Sequence, residues 1–142
     1  MTKLMFLLFA CLILACQNEK TFVANEDVYF DNDTESYRDL YNNKPVTGLV
    51  IVETTDHILI STQVKKGKLH GLYTLYIDDE KVQEMSFKNG KANGTAKFWD
   101  DNMLEAEMLF KDGEAVTLTC YSDTGEVTGV IDNPTEETGF CE

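Results

Sequence analysis

Histidine is nearly missing from this chain: His57 and His70 are the only two in 142 residues. A zinc site wants three or four ligands at suitable spacing, and no such set is visible. No serine sits in a nucleophile elbow either. Proline occurs twice, so the turns fall to glycine, asparagine and aspartate. Cations are scarce, with 12 Lys+Arg against 25 Asp+Glu and a formal charge of −13. Such a surface repels phosphate backbones, which disfavours nucleic-acid binding and favours a basic partner. The apolar run Leu4–Leu14 is too short to span a bilayer as a settled helix. A helical period sustained over a dozen residues is absent. These absences leave an all-β, non-catalytic reading, with no metal, cofactor or small-molecule substrate expected.

What is present is one pattern written repeatedly. Gly67, Gly90 and Gly113 recur every 23 residues, as do Gly48, Gly71 and Gly94. Val64, Phe87 and Phe110 keep the same step, and Tyr41 extends their column upstream. Leu75 and Phe98 form another, with Tyr29, Val52 and Tyr121. A fixed period of this size marks a repeat architecture. Three full units are expected at 48–70, 71–93 and 94–116, with weaker ones at 25–47 and 117–131; decayed end copies are normal in such arrays. The fold class is therefore all-β: an antiparallel β-hairpin meander of about eight to ten strands built from units of about 23 residues.

Asn89-Gly90 and Asp112-Gly113 are two-residue type I′ turn signals. Taken literally, the first pairs Phe87 with Ala92, Met85 with Gly94, Gln83 with Ala96 and Lys81 with Phe98. One face then carries Tyr73, Leu75, Met85, Phe87, Phe98 and Phe110, together with Gly71 and Gly94. The other collects lysines, glutamates and His70, with Tyr76 and Trp99 in one column as either a contact patch or a cover. Lys81 and Gln83 fall on the apolar face as exceptions. Glycine inside a strand weakens it unless it makes room for a neighbour, so aromatic rings are expected over Gly71 and Gly94. The clusters Asp31-Asn32-Asp33, Asp78-Asp79-Glu80 and Asp100-Asp101-Asn102 lack the glycine and closing glutamate of a calcium loop, and read as turns.

The units resemble the MORN repeat in its bacterial variant. The match is Phe87-Lys88-Asn89-Gly90-Lys91-Ala92-Asn93-Gly94 with Phe98-Trp99, preceded by Val64-Lys65-Lys66-Gly67-Lys68-Leu69-His70-Gly71 with Leu75-Tyr76. The copies at Tyr41–Gly48 and Phe110–Thr117 each lack one glycine, and the resemblance covers roughly residues 40–121. It implies a non-catalytic scaffold for protein or lipid contact, often labelled antitoxin-like. Separately, Ile13-Leu14-Ala15-Cys16 resembles a bacterial lipobox. That resemblance implies a signal peptide over 1–15, a lipid anchor on Cys16 and, with Gln17 following, an outer-membrane address; the alternative is an ordinary secreted protein. Loss of Lys3 with the signal leaves 11 cations against 25 acids, a formal −14.

The segment 16–24 is expected as a tether, 25–131 as the repeat domain and 132–142 as an acidic tail. Cys120 and Cys141 can pair in an oxidising envelope or stay as two free thiols. A contiguous apolar face needs a cover: the sheet curling, the segments 17–40 and 122–142 folding across, or a partner. Any partner is expected in a trough formed by Gly71, Tyr73, Leu75, Phe87, Gly94, Phe98 and Phe110, with Asp78–Glu80 and Asp100–Asp101 steering a basic protein surface. The functional expectation is a lipid-anchored protein-binding module of antitoxin or immunity type. The alternative is a structural surface lipoprotein without a dedicated partner.

Overall fold

The computed structural model describes residues 19–135 and Cys141, so the signal segment, Cys16 and most of the last residues lie outside the described residues. Eleven strands and no helix occur among those described. They are β1 (Thr21–Val23), β2 (Val28–Asp31), β3 (Ser36–Asp39), β4 (Gly48–Glu53), β5 (Ile58–Lys65) and β6 (Lys68–Ile77), then β7 (Glu80–Lys88), β8 (Lys91–Asp100), β9 (Met103–Lys111), β10 (Glu114–Tyr121) and β11 (Val127–Asp132). From β4 to β11 the sheet follows chain order, every pair antiparallel, with β1 added parallel to β4 at one edge. β2 and β3 form a separate two-stranded sheet.

The turns explain the regularity. At Lys66-Gly67, Asn89-Gly90 and Asp112-Gly113 both residues have positive φ, as the type I′ geometry requires. The same holds at Asp78-Asp79 and Asp101-Asn102 without any glycine. Aspartate and asparagine tolerate the left-handed region better than other side chains. Successive tips are also tied together: the amides of Gly67, Gly90 and Gly113 donate to the carbonyls of Val46, Leu69 and Ala92 at 2.7, 2.8 and 2.8 Å. Each turn's glycine N–H thereby finds a carbonyl acceptor beside the turn before it.

The hairpin register departs from the literal one. Phe87 faces Ala92 as expected, but Met85 faces Ala96 and Gln83 faces Phe98. Asn93, Gly94 and Thr95 occupy a bulge opposite Ser86, and His70, Gly71 and Leu72 one opposite Gln63. The slide is two residues, an even number, so the assignment of faces survives. A second irregularity, between Leu75 and Tyr76, puts Lys81 opposite Tyr76. Lys81 therefore stands on the polar face, not the apolar one.

Two short segments behave differently from the expectation. Residues 21–23, read as tether, form β1, because Phe22 at 4% exposure joins the core and Leu49 N–H bonds the Lys20 carbonyl. The weak first unit does not extend the sheet. Its strands β2 and β3 are four residues each, and the hairpin packs onto the apolar face. Val28 and Val46 bury there with Phe22, Val50 and Val64, and Tyr37 and Leu69 pack alongside. Tyr41, in register with the aromatic column, is instead 86% exposed in a turn.

A second core cluster lies at the other end of the sheet. Ala106, Leu118 and Cys120 are buried there, with Phe98, Met108, Ile131 and Cys141 packed against them. Cys141 is disulfide-bonded to Cys120, which brings the end of the chain onto this face. Beside the first cluster lies one buried polar oddity. Thr62, 1% exposed beside Val50 and Tyr73, has no hydrogen-bond partner for its hydroxyl among the described residues. An unmade bond of this kind costs about 1–3 kcal/mol. Thr62→Val is isosteric and removes the penalty, so its urea midpoint is expected to rise, by about 1 kcal/mol in stability. A lowered midpoint would show that the hydroxyl is satisfied.

Candidate binding surfaces

The seven residues expected to form a trough lie on the sheet, and the structure divides them. Tyr73 and Phe87 meet edge-to-face, with ring centroids 6.0 Å apart. Burial pushes the Tyr73 phenol up, and burial together with Tyr73 does the same to Tyr37. Phe98 belongs to the second core cluster. Leu75 and Phe110 are half-buried, facing Ile60 and Gly94 across their ladders.

Gly71 and Gly94 face Phe87 and Phe110 on one side. The atoms a Cβ would meet are not rings, however. They belong to Gln63 beside Gly71 and to Ser86, 3.3 Å away, beside Gly94. The glycines serve the bulges, with φ of 106° and 105°. Gln63 Oε1 caps the first one by accepting from the Leu72 amide at 2.9 Å.

Nor do the acidic turns rim those glycines. Gly71 and Gly94 sit near the tips at Gly67 and Gly90, whereas Asp78–Glu80 and Asp100–Asp101 close the opposite strand ends. Seven residues from Gly71 to Asp78 is roughly 23 Å of strand. The hairpin geometry thus gives the two rows of tips different charge, the first lysine-rich though it also holds Asp112 and Glu114. Lys65, Lys66, Lys68, Lys88, Lys91 and Lys111 flank one row of tips, and Asp56, Asp78, Asp79, Asp100, Asp101 and Asp123 the other.

The polar face carries a band of paired groups. Lys81 Nζ stands 4.1 Å over the Trp99 ring and 3.3 Å from Glu84. Lys97 pairs with Glu107 at 3.2 Å, and the Tyr121 hydroxyl donates to Glu107 at 3.0 Å. Desolvation, and next that bond, raise the Tyr121 phenol above its ordinary value. Trp99 therefore has one ring face occupied by Lys81. The two histidines lie at opposite strand ends: His57 lends its carbonyl to Asp78 in an acidic turn, and His70 accepts from the Asn89 amide near a basic tip. Among the described residues, no group of three or more His, Cys, Asp or Glu side chains could hold a metal ion.

Sequence reasoning placed the lysines on the polar face with the glutamates and did not single out the lysine-rich row of tips. The signal that finds it is the two-residue turn itself, because it fixes which lysines oppose one another. No family model matches this chain, and neither a curated protein nor a solved structure is significantly similar to it.

Proposed function

We propose that this chain is a non-catalytic protein-binding module, carried on the cell envelope by a lipid anchor at Cys16 and probing a basic partner of toxin type. The observation that supports the reading is the incomplete cover of the apolar face. The β2–β3 hairpin covers one end and Cys141 packs on the other, while Tyr73, Met85, Phe87 and Phe110 stay half-buried in between. An apolar sheet face covered only in part in this way favours a partner docking there. Similarity of the units to the MORN variant agrees with a contact scaffold, the Ile13–Cys16 lipobox resemblance supports the anchor, and Gln17 after the cysteine favours an outer-membrane address. The row of acidic turns attracts a basic surface from a distance and speeds encounter at low salt.

The test is a crosslinking pull-down from native envelopes with the full chain as bait. Tyr73→Ala/Phe87→Ala, with folding checked by circular dichroism, is expected to lose at least tenfold of the captured partner. Cys16→Ser in the same cells is expected to move the protein to the soluble fraction. Undiminished capture by the folded double variant rejects the mid-face as the docking surface. Capture of nothing by wild type favours a structural lipoprotein without a dedicated partner.

A further inference from the structure

The two hairpin tips nearest the β2–β3 hairpin break a rule of sheet design. Lys65 directly opposes Lys68 at the end of one hairpin, and Lys88 directly opposes Lys91 at the next. Like charges in directly opposed positions are destabilising. The third tip of the same row pairs Lys111 with Glu114, so the complementary arrangement is available to this fold. Acids outnumber cations 25 to 12 in the chain, yet none of these four lysines has an ion-pair partner among the described residues. A local rule broken without internal compensation is the mark of a functional position.

The lysines are also held in place. The aliphatic stem of Lys68 lies over the turn glycine of the next tip, with Cδ 3.7 Å from where a Gly90 Cβ would be. The stem of Lys91 lies over Gly113 in the same way, at 3.8 Å. Packing of the stem leaves the ammonium at the end free to face solvent. Between these tips and the turn of the β2–β3 hairpin is a cleft of about 430 Å³, lined by Phe30, Asn32, Glu35, Lys68, Leu69 and Lys91 together with the Asn89-Gly90 turn. Phe30 is 47% exposed, and its ring is braced edge-on by Tyr37 at 5.1 Å. Glu35 is the one acid on the wall, against two ammonium groups.

We propose that this cleft binds an acidic peptide segment of a protein partner, its carboxylates between Lys68 and Lys91 and an adjacent apolar side chain on Phe30 and Leu69. The site is separate from the open mid-face and stands whether or not that surface docks a protein. Bound carboxylates neutralise Lys68 and Lys91, and so offset the repulsion each meets from its opposed neighbour, Lys65 and Lys88. Asn32 and Asn89 supply side-chain amides for the peptide backbone. A polyanion is a poor occupant, because a chain of net charge −13 repels it at long range and only two lysines face the cleft. A short segment with two to four carboxylates meets little of that field and can still use both lysines.

The experiment is fluorescence anisotropy of a labelled, end-blocked pentapeptide, two glutamates and two aspartates around a central phenylalanine, titrated with the full chain in detergent. Saturable binding weakened at least tenfold in both Lys68→Glu and Lys91→Glu, and unchanged in Lys111→Ala, is the expected result. A tenfold loss corresponds to about 1.4 kcal/mol. Phe30→Ala is expected to weaken binding of this peptide but not of one with alanine in place of the phenylalanine. The proposal is overturned by no binding up to roughly millimolar protein, or by equal affinity for the peptide with lysines in place of its acids. It is overturned too if both charge-reversal variants bind within twofold of wild type. Binding confined to vesicles of anionic phospholipid would replace it by a membrane contact.

Discussion

Cys141→Ser is expected to lower the unfolding free energy of the oxidised protein by about 3 kcal/mol. The bond to Cys120 spans 21 residues. Closing a loop of that length in the unfolded chain removes entropy worth about 3 kcal/mol in the chain-entropy model. The folded state adds a packing contribution, because Cys141 lies against the buried cluster of Ala106, Leu118 and Cys120. Urea melts of wild type with and without reductant, beside the serine variant, make the measurement. Reduced wild type should fall close to the variant, and reductant should leave the variant itself unmoved. Coincident melts for oxidised wild type and the variant would mean that the cross-link does not constrain the unfolded chain.

Gly48→Ala is expected to be the more damaging of two glycine substitutions that look alike in sequence. Gly48 has φ +149° and lies where β4 meets β1. A Cβ there would overlap the Lys20 carbonyl oxygen and stand 3.0 Å from the Phe22 ring. That carbonyl accepts the Leu49 amide at 2.9 Å, so it cannot move without freeing β1 and withdrawing Phe22 from the core. Backbone strain of about 1–3 kcal/mol and overpacking of about 1–3 kcal/mol together give a loss of about 2–6 kcal/mol. At Gly71 the obstacle is the Gln63 side-chain amide, the far end of a flexible side chain. It can swing away at the expense of its bond to Leu72, so strain of about 1–3 kcal/mol and a lost bond of about 0.5–1.5 kcal/mol together give a loss of about 1.5–4.5 kcal/mol. Denaturant melts of the two variants give the order directly, and Gly71→Ala proving the worse would refute this account of the β1–β4 contact.

The sheet was legible in the sequence because side-chain alternation and turn chemistry agreed. Asn89-Gly90 and Asp112-Gly113 announced their turns, and the 23-residue columns carried that reading to Asp78-Asp79 and Asp101-Asn102. The bulges were not legible. An insertion of two residues preserves the alternation, so Met85 opposite Gly94 and Met85 opposite Ala96 give equally clean faces. The one-residue irregularity near Tyr76 left a trace, since it stranded Lys81 on the wrong side of the literal register. Strand length was the hidden variable at the start of the chain. Tyr29 and Tyr41 fit the columns, but strands of four residues cannot match the ladders of β5 to β9, and the hairpin gains more by burying Val28 on the face. The candidate trough fared less well than the fold. It was drawn from face membership alone, and membership of a face does not say how far along the strand a residue stands from a charged turn.

The amides joining Gly67 to Val46, Gly90 to Leu69 and Gly113 to Ala92 have a mechanical consequence. They link each hairpin only to the one before, as the order of the sheet does. Tension applied across the strands therefore loads one ladder at a time, and the hairpins peel off singly at modest force. Tension applied along the strands loads all the bonds of a ladder together and meets far more resistance. The cross-link between Cys120 and Cys141 carries load on the end of the chain directly to β10, so β11, inside the loop it closes, is bypassed and cannot be the first strand to peel. Under load the molecule is a zipper from one side and a clasp from the other.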